Sequence, residues 1–525
     1  MSKPKYYLTT PIYDAASSPQ IECVYTAVLC DAIARHKRIC GFDVAQFIGA
    51  DTHGVNFERP EERIGAARAA LLRRNEKKFE ELLNLVDVHS THFERTCSAE
   101  HIRGVETLIR RTLRRSRLAI YKARHQGRYC VHDEIDVSDS AEPADCAICG
   151  RAAVLISEER YFFRLSAFQD RLLALYKYRP EFIQPRFRLN EIRNLVTRGL
   201  KDIPIGRRTT ERGIPWPDDS DFIVLGCYAK LASYLSGIGF GEAGYGSDEF
   251  RRLWPANLHV TGKEAFHSHT IYWPAFLMAA DLHVSRHVFT HGAVCFEQEG
   301  MDKALFSEPI GQILGSDALR YYLLRQVGYG ENARLGCEGL VRYCNDDLAE
   351  GLERLASRTL TLIELHCHGR IPVRSLLSSI DSTIEIAAGD IQAEVRFLLD
   401  SFNFCEALRK IWSLVAMIDK LLADNAQYEL TGDPSEKRRF TDVLHDVCQG
   451  LVLIALLLHP ILPRATDAIW NGLGQATRLE DQLIDETPWS CLMPGTPIGK
   501  LEPLFSGVDT LQNMTSMRPE TSLRR

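Results

Sequence analysis

Two groups of side chains in this sequence carry recognisable chemistry. Cationic residues crowd one stretch, with Arg110, Arg111, Arg114, Arg115, Arg117, Lys122, Arg124 and Arg128 within a segment that reads as helical from about 106 to 128. Such a cluster either neutralises backbone phosphates or forms a solvated face. Next come Cys130 and the pair Cys146-Ala-Ile-Cys149, in a segment of turn residues with little periodicity. A C-x-x-C pair is half of a tetrahedral zinc site; without further ligands it is two reduced thiols. The 15 cysteines are odd in number and scattered, which fits free thiols in a cytosol and excludes a disulfide scaffold.

The elements that must hold these groups follow from periodicity. Tyr6 to Thr9 is rich in β-forming residues and reads as a buried strand. After the loop DAASSP, Ile21 to Ile39 has helical spacing, with Lys37 and Arg38 in its last turn and Gly41 where a C-terminal cap belongs. Val44 to Ile48 then reads as a strand. Strand, helix and strand in this order predict a βαβ unit and a parallel sheet. A further apolar βα pattern runs from about 222 to 324. The sequence from about 335 to 485 is helical in period, with an amphipathic run from Ile391 to Leu422. The last twenty or so residues are polar and expected to be disordered.

A chain of 525 residues needs two to four cores. Its net charge of −6 excludes a protein that is basic all over, but not a local nucleic-acid face. The N-terminus has no apolar signal region, and the most apolar run, Leu451 to His459, is too short to cross a bilayer. The expectation is a soluble cytoplasmic protein, a monomer, with no membrane partner.

The opening, KYYLTTPIYDAASSPQIECVYTAVLCDAIARHKRICGFDVAQFIGADTHG, resembles the start of a methionyl-tRNA synthetase, with its TTPIYY strand, PHIGH turn and GTDEHG loop. The likeness resumes at LHVTGKEAFHSHTIYWPAFLMAADL, FTHG, SDALRYYLLRQVGYGEN and LLLHPILPRATDAIW, in the family's order. The resemblance implies an α/β class I architecture. A Rossmann-like nucleotide-binding domain (1–105 and 213–334, the latter with the stem) is split by a connective insertion (106–212). An all-α anticodon-binding-like bundle (335–500) and a tail (501–525) follow.

The same resemblance assigns roles. The helix start that cradles triphosphate carries Gln20, Ile21, Glu22 and Cys23 where the family has HIGH. Gln20 keeps one donor, Cys23 is a poor one, and Glu22 sets a carboxylate beside an incoming polyanion. Losing one transition-state donor typically costs a factor of ~10²–10³. Alternatively Glu22 is a plain acid favoured by the helix dipole. The mobile KMSKS loop aligns with Gly300 to Ala304; of its two lysines only the second survives, as Lys303, beside a new Asp302. Asp51, in D-x-H-G with His53 and Gly54, aligns with the binder of the substrate amino group. His269, Trp273 and Tyr234 match amino-acid pocket positions; Trp273 and Tyr234 are alternatively core residues. Asp14 and Cys227 replace two aromatic walls, which removes ring area from a thioether site. Gly262, Lys263 and Glu264 match the ribose-binding GKD, and His291 and Gly292 the HG before the mobile loop.

For metal, the resemblance offers Cys130, Cys146, Cys149 and either His132 or Asp133. On the anticodon face, Arg354 stands for an asparagine and Tyr428 for a stacking tryptophan; tyrosine still stacks, whereas arginine offers donors only. Three functions follow. The first is an aminoacyl-tRNA ligase using ATP with magnesium, an amino acid and tRNA, with zinc as a structural ion and with altered or weakened activation. The second is an inactive paralogue that binds tRNA, an adenylate or a partner protein. The third is a transferase fed by an already activated aminoacyl group.

Overall fold

In a computed structural model of the chain, residues 3–15, 17–51, 62–130, 135–137, 145, 151–208, 213–241, 246–297, 308–375, 383–429, 433–485, 489 and 491–505 are described. The first strand, Lys5–Asp14, lies at the centre of a six-stranded parallel sheet. On one side are Asp43–Asp51 and His92–Arg95; on the other are Leu258–Thr261, His287–Thr290 and Ile183–Gln184. All five pairings are parallel. Chain order reverses between Lys5–Asp14 and Leu258–Thr261, so a crevice opens there at the carboxyl ends of the strands.

Both faces of the sheet are covered, which explains why the central strands read as nearly continuous apolar runs. Leu8 and Ile48 face one core, with the helix Ile21–Ile39 and the C-terminal helices. Tyr7 and Phe47, one residue out of phase, face a second core with the helices Gly226–Ser236 and Trp273–Ala279. Helix Ile21–Ile39 ends as its sequence suggests: Gly41 adopts φ 86° and its N–H donates to the Arg38 carbonyl at 2.9 Å.

A second, antiparallel sheet contains Ile120–Cys130, Ile135–Val137, Val154–Phe163, Ile203–Arg208, Pro215–Trp216 and Asp219–Val224. Residue 106, where the insertion was expected to begin, falls within the helix Ala99–Arg115, and residue 212, its expected end, lies outside the described residues. The basic stretch therefore is not one helix. Lys122, Arg124 and Arg128 lie on the strand Ile120–Cys130, where alternation puts these three on its exposed face and Tyr121, Ala123 and His125 on its half-buried one.

The helical region contains Arg354–Cys367, Thr383–Asp400, Phe404–Asp424, Pro434–Leu458 and Pro463–Gly472. The amphipathic run expected from Ile391 to Leu422 is two helices. Phe402 takes φ 65°, and the Asn403 side chain accepts from the Glu406 N–H to start the second. The apolar run around Leu451 belongs to the 25-residue helix Pro434–Leu458, which is long and apolar enough to span a membrane. Its most apolar window is 94% buried among the other helices, as in a core helix.

Candidate functional site

At the crevice, the ends of the first two strands, the start of helix Ile21–Ile39 and the turn after Thr261 enclose a cavity of about 310 Å³. Asp14, Gln20, Glu22, Cys23, Gly262 and Glu264, all singled out from sequence, line it together. Gln20 caps the helix with extended backbone (φ −104°, ψ 161°), and its side chain makes no capping bond. The exposed amide therefore stands at a helix start that favours anions.

Glu22 turns its carboxylate onto Gly262. A Cβ on Gly262 would lie 2.0 Å from Glu22 Oε1, so the carboxylate fills the space that a side chain there would take. Burial and the Glu264 carboxylate raise the Glu22 pKa, and a hydrogen bond from the Val294 backbone lowers it. Cys23 carries a neutral thiol, since burial pushes its pKa up to about 11. The Tyr13 hydroxyl donates to the Cys23 carbonyl at 3.1 Å and ties strand to helix.

His291 is buried and bonded on both ring nitrogens. Its Nδ1–H donates to the Gly292 carbonyl at 2.8 Å, which leaves Nε2 to accept from the Thr26 hydroxyl at 2.8 Å. Burial lowers its pKa to about 4 and keeps it neutral. Gly292 is required by close approach, because a Cβ would meet the Glu331 carbonyl at 2.2 Å.

Asp51 ends the second strand, with its Cα paired to Asp14 across the ladder. Thr96 Oγ1 donates to Asp51 Oδ1 at 2.8 Å, and Lys230 Nζ lies 2.7 Å from Asp51 Oδ2. The Asp51 side chain is 5% exposed and that of Lys230 39%.

Tyr234, His269 and Trp273 are buried behind the cavity and do not line it. Trp273 Nε1–H donates to His259 Nε2 at 3.2 Å, which makes His259 Nδ1–H the donor to Thr9 Oγ1 at 2.7 Å. Tyr234 donates to His269 Nε2 at 2.7 Å, and His269 Nδ1–H to the Ala265 carbonyl at 2.8 Å. Burial lowers the His269 pKa to about 4 and that of His259 further. These buried neutral rings reach the cavity wall through the Ala265 carbonyl. Cys227 and Lys263 are exposed.

Cys130, Arg354, Tyr428 and the basic stretch do not line the cavity. Cys130 is buried at the end of its strand; His132, Asp133, Cys146 and Cys149 lie outside the described residues, as do His53, Gly54, Asp302 and Lys303. Elsewhere His36, Cys40 and Asp400 bring ligating atoms within 4.8 Å of one another, but Lys37 Nζ already sits 2.5 Å from Asp400 Oδ1. Arg354 is exposed and reaches Glu350 Oε2 at 3.7 Å and Asp419 Oδ2 at 3.4 Å; Tyr428 lies under Arg439, 4.9 Å from its ring centroid. Several basic-stretch residues are engaged within the chain. Arg110 pairs with Asp218, Arg111 donates to the Ala280 carbonyl at 2.6 Å, and Lys122 pairs with Asp219 at 2.6 Å.

Sequence reasoning missed Lys230, Thr96 and His259. The first had a faint signal, a lone cation four residues before Tyr234 in an otherwise apolar helix; the other two had none.

Comparison with known proteins agrees with this geometry. A family model for "tRNA synthetases class I (M)" matches residues 6–143 and 136–360. A methionine–tRNA ligase of Caldanaerobacter subterraneus is 32% identical over 524 residues, covering 99% of this chain and 81% of the relative. One from Mycobacterium bovis is 33% identical over 507 residues, covering 94% and 97%. The crystal structure of Mycobacterium tuberculosis methionyl-tRNA synthetase bound by methionyl-adenylate superposes with a TM-score of 0.85 at 31% identity, over 95% of this chain and 100% of that one. The apo form of the same enzyme gives 0.83. Ordered motifs, the parallel sheet with its crevice and near full-length similarity place this chain in the methionyl-tRNA synthetase family of class I tRNA synthetases.

Proposed function

We propose that this chain joins an amino acid to tRNA through an aminoacyl-adenylate, using ATP with magnesium, and that its ATP-activating step is weakened. In that step the amino-acid carboxylate attacks the α-phosphorus, and the bond to pyrophosphate breaks. The helix start at Gln20 supplies backbone N–H groups and one side-chain amide toward the phosphates. Lys303, by its resemblance to a loop lysine, would meet the leaving pyrophosphate. Gly262 and Glu264 line the same cavity, and Glu264 offers acceptors to hydroxyl groups.

The observation that carries the weakened step is the Glu22 carboxylate. It lies on Gly262 and shares its surroundings with Glu264, where a polyanion has to enter. Asp14 and Glu76 add to the acidic wall, and no lysine or arginine is among the described residues lining the cavity. That charge balance also favours the second reading, a paralogue that binds tRNA, an adenylate or a partner without turnover.

ATP–pyrophosphate exchange with each amino acid tests the choice. Slow exchange is expected with methionine, rising by about 10²-fold or more in the combined variant Gln20→His, Glu22→Gly, Cys23→His. An ordinary rate in the unaltered protein would overturn the weakened step. Exchange with no amino acid, with tRNA binding retained, would move the conclusion to the second reading.

A further inference from the structure

The chain already satisfies both oxygens of Asp51. Thr96 donates to one and the Lys230 ammonium holds the other. Asp51 is buried, but Lys230 reaches it from the first turns of helix Gly226–Ser236 with a partly exposed, four-carbon stem. Asp14, paired with Asp51 in the sheet and lining the cavity, lies close enough for its charge also to favour the ammonium form of Lys230. Two carboxylates side by side at the carboxyl ends of neighbouring strands require a cation, and Lys230 is that cation. A ligand bringing its own primary ammonium to Asp51 would exchange one ammonium for another. The exchange yields little Coulombic gain.

We propose that Lys230 determines specificity in this site: its ammonium occupies the Asp51 carboxylate in place of a substrate amine, so the site distinguishes an α-amino acid only weakly from the same carboxylic acid without its amine. The inference rests on the reading that this cavity takes the amino acid. It deepens that reading by naming what the site does not ask of a ligand: an amine at Asp51.

Calorimetric titration of the full chain with methionine and with 4-(methylthio)butanoate, its counterpart lacking the amine, tests this without ATP. The unaltered protein should bind the two within about threefold of each other. Lys230→Ala should tighten methionine by about tenfold or more and leave the other ligand within about twofold, because only the ammonium gains a vacated carboxylate. Lys230→Met keeps the stem and should behave like alanine, which guards against a folding defect of the smaller side chain. Lys230→Arg keeps the cation and should keep the unaltered preference. The proposal is overturned if neither Lys230→Ala nor Lys230→Met tightens methionine, or if both ligands tighten equally. Failure of pyrophosphate exchange in the unaltered protein would count against the proposed activation alone, since these titrations need no turnover.

Discussion

Glu22 shows how one side chain changes what a helix start can bind. Backbone N–H groups there attract anions, and a carboxylate folded back over the same space offsets them. Burial beside Glu264 raises its pKa, so it takes up a proton at a higher pH than an ordinary carboxyl group. Protonation removes the repulsion. ATP affinity should therefore rise as pH falls toward the carboxyl range, more steeply than in Glu22→Gln, which should bind ATP several-fold tighter at neutral pH. Parallel pH profiles for the two proteins in equilibrium dialysis would show that Glu22 does not face the nucleotide. The position of Glu22 was legible from motif alignment, but its rotamer was not, because the choice between solvent and Gly262 depends on a turn far away in the chain.

Between elements, buried polar ties hold the sheet to the helical region. Arg320, fully buried, pairs with Asp31 at 2.8 Å and donates to the carbonyls of Val86, Pro460 and Ile461. It thus joins helix Ile21–Ile39, helix Glu308–Gln326 and the turn after Leu458. Removing it takes the donor from three carbonyls and leaves the buried Asp31 carboxylate with Arg35 alone, 2.7 Å away, so Arg320→Ala should cost about 3 kcal/mol in urea unfolding. A loss below about 1 kcal/mol would show that solvent reaches the pair. Gly292→Ala should also destabilise, by about 1–3 kcal/mol, because its methyl group meets rigid backbone at Glu331. A thermal melt matching the unaltered protein would contradict that contact. The SDALRYYLLRQ segment reads plainly as a helix from periodicity, yet nothing in its spacing tells that Arg320 points inward. The break at Phe402 was equally silent, since a positive φ without glycine or proline leaves no mark in composition.

Across the whole molecule, two cores share the parallel sheet, and buried histidines brace it. Burial holds the pKa of His269 and His291 at about 4 and that of His459 at about 3, with His259 also far below its ordinary value. Unfolded, each would titrate near 6.5. The unfolded chain therefore binds more protons between about pH 6.5 and 4, and stability falls as pH drops through that window, by about 1.4 kcal/mol per pH unit for each fully neutral histidine. Asp317, whose pKa burial pushes up to about 6, works in the opposite direction as pH falls below 6. Glu22, Glu94, Asp446 and Asp467, also raised, act with Asp317, and His36, also lowered, acts with the four imidazoles. The imidazoles act from about pH 6.5, above the carboxyl range, which leaves acid lability as the outcome. Urea midpoints at pH 7.5 and 5.0 should differ clearly; coincident midpoints would mean that these rings reach water in the native state.

Fold and family were legible in the chain because apolar period, turn residues and ordered motifs are local properties that survive divergence. The altered residues at the helix start were legible for the same reason, as was their convergence with Gly262 and Glu264 once the family was recognised. Only the tertiary structure decided which cation Asp51 holds, which way Glu22 turns and how Tyr234, His269, Trp273 and His259 bond to one another. Those outcomes depend on desolvation and pairing between side chains brought together from distant strands and helices. The energies that select among them arise only when burial removes water from groups whose separation along the chain says nothing of their distance in space.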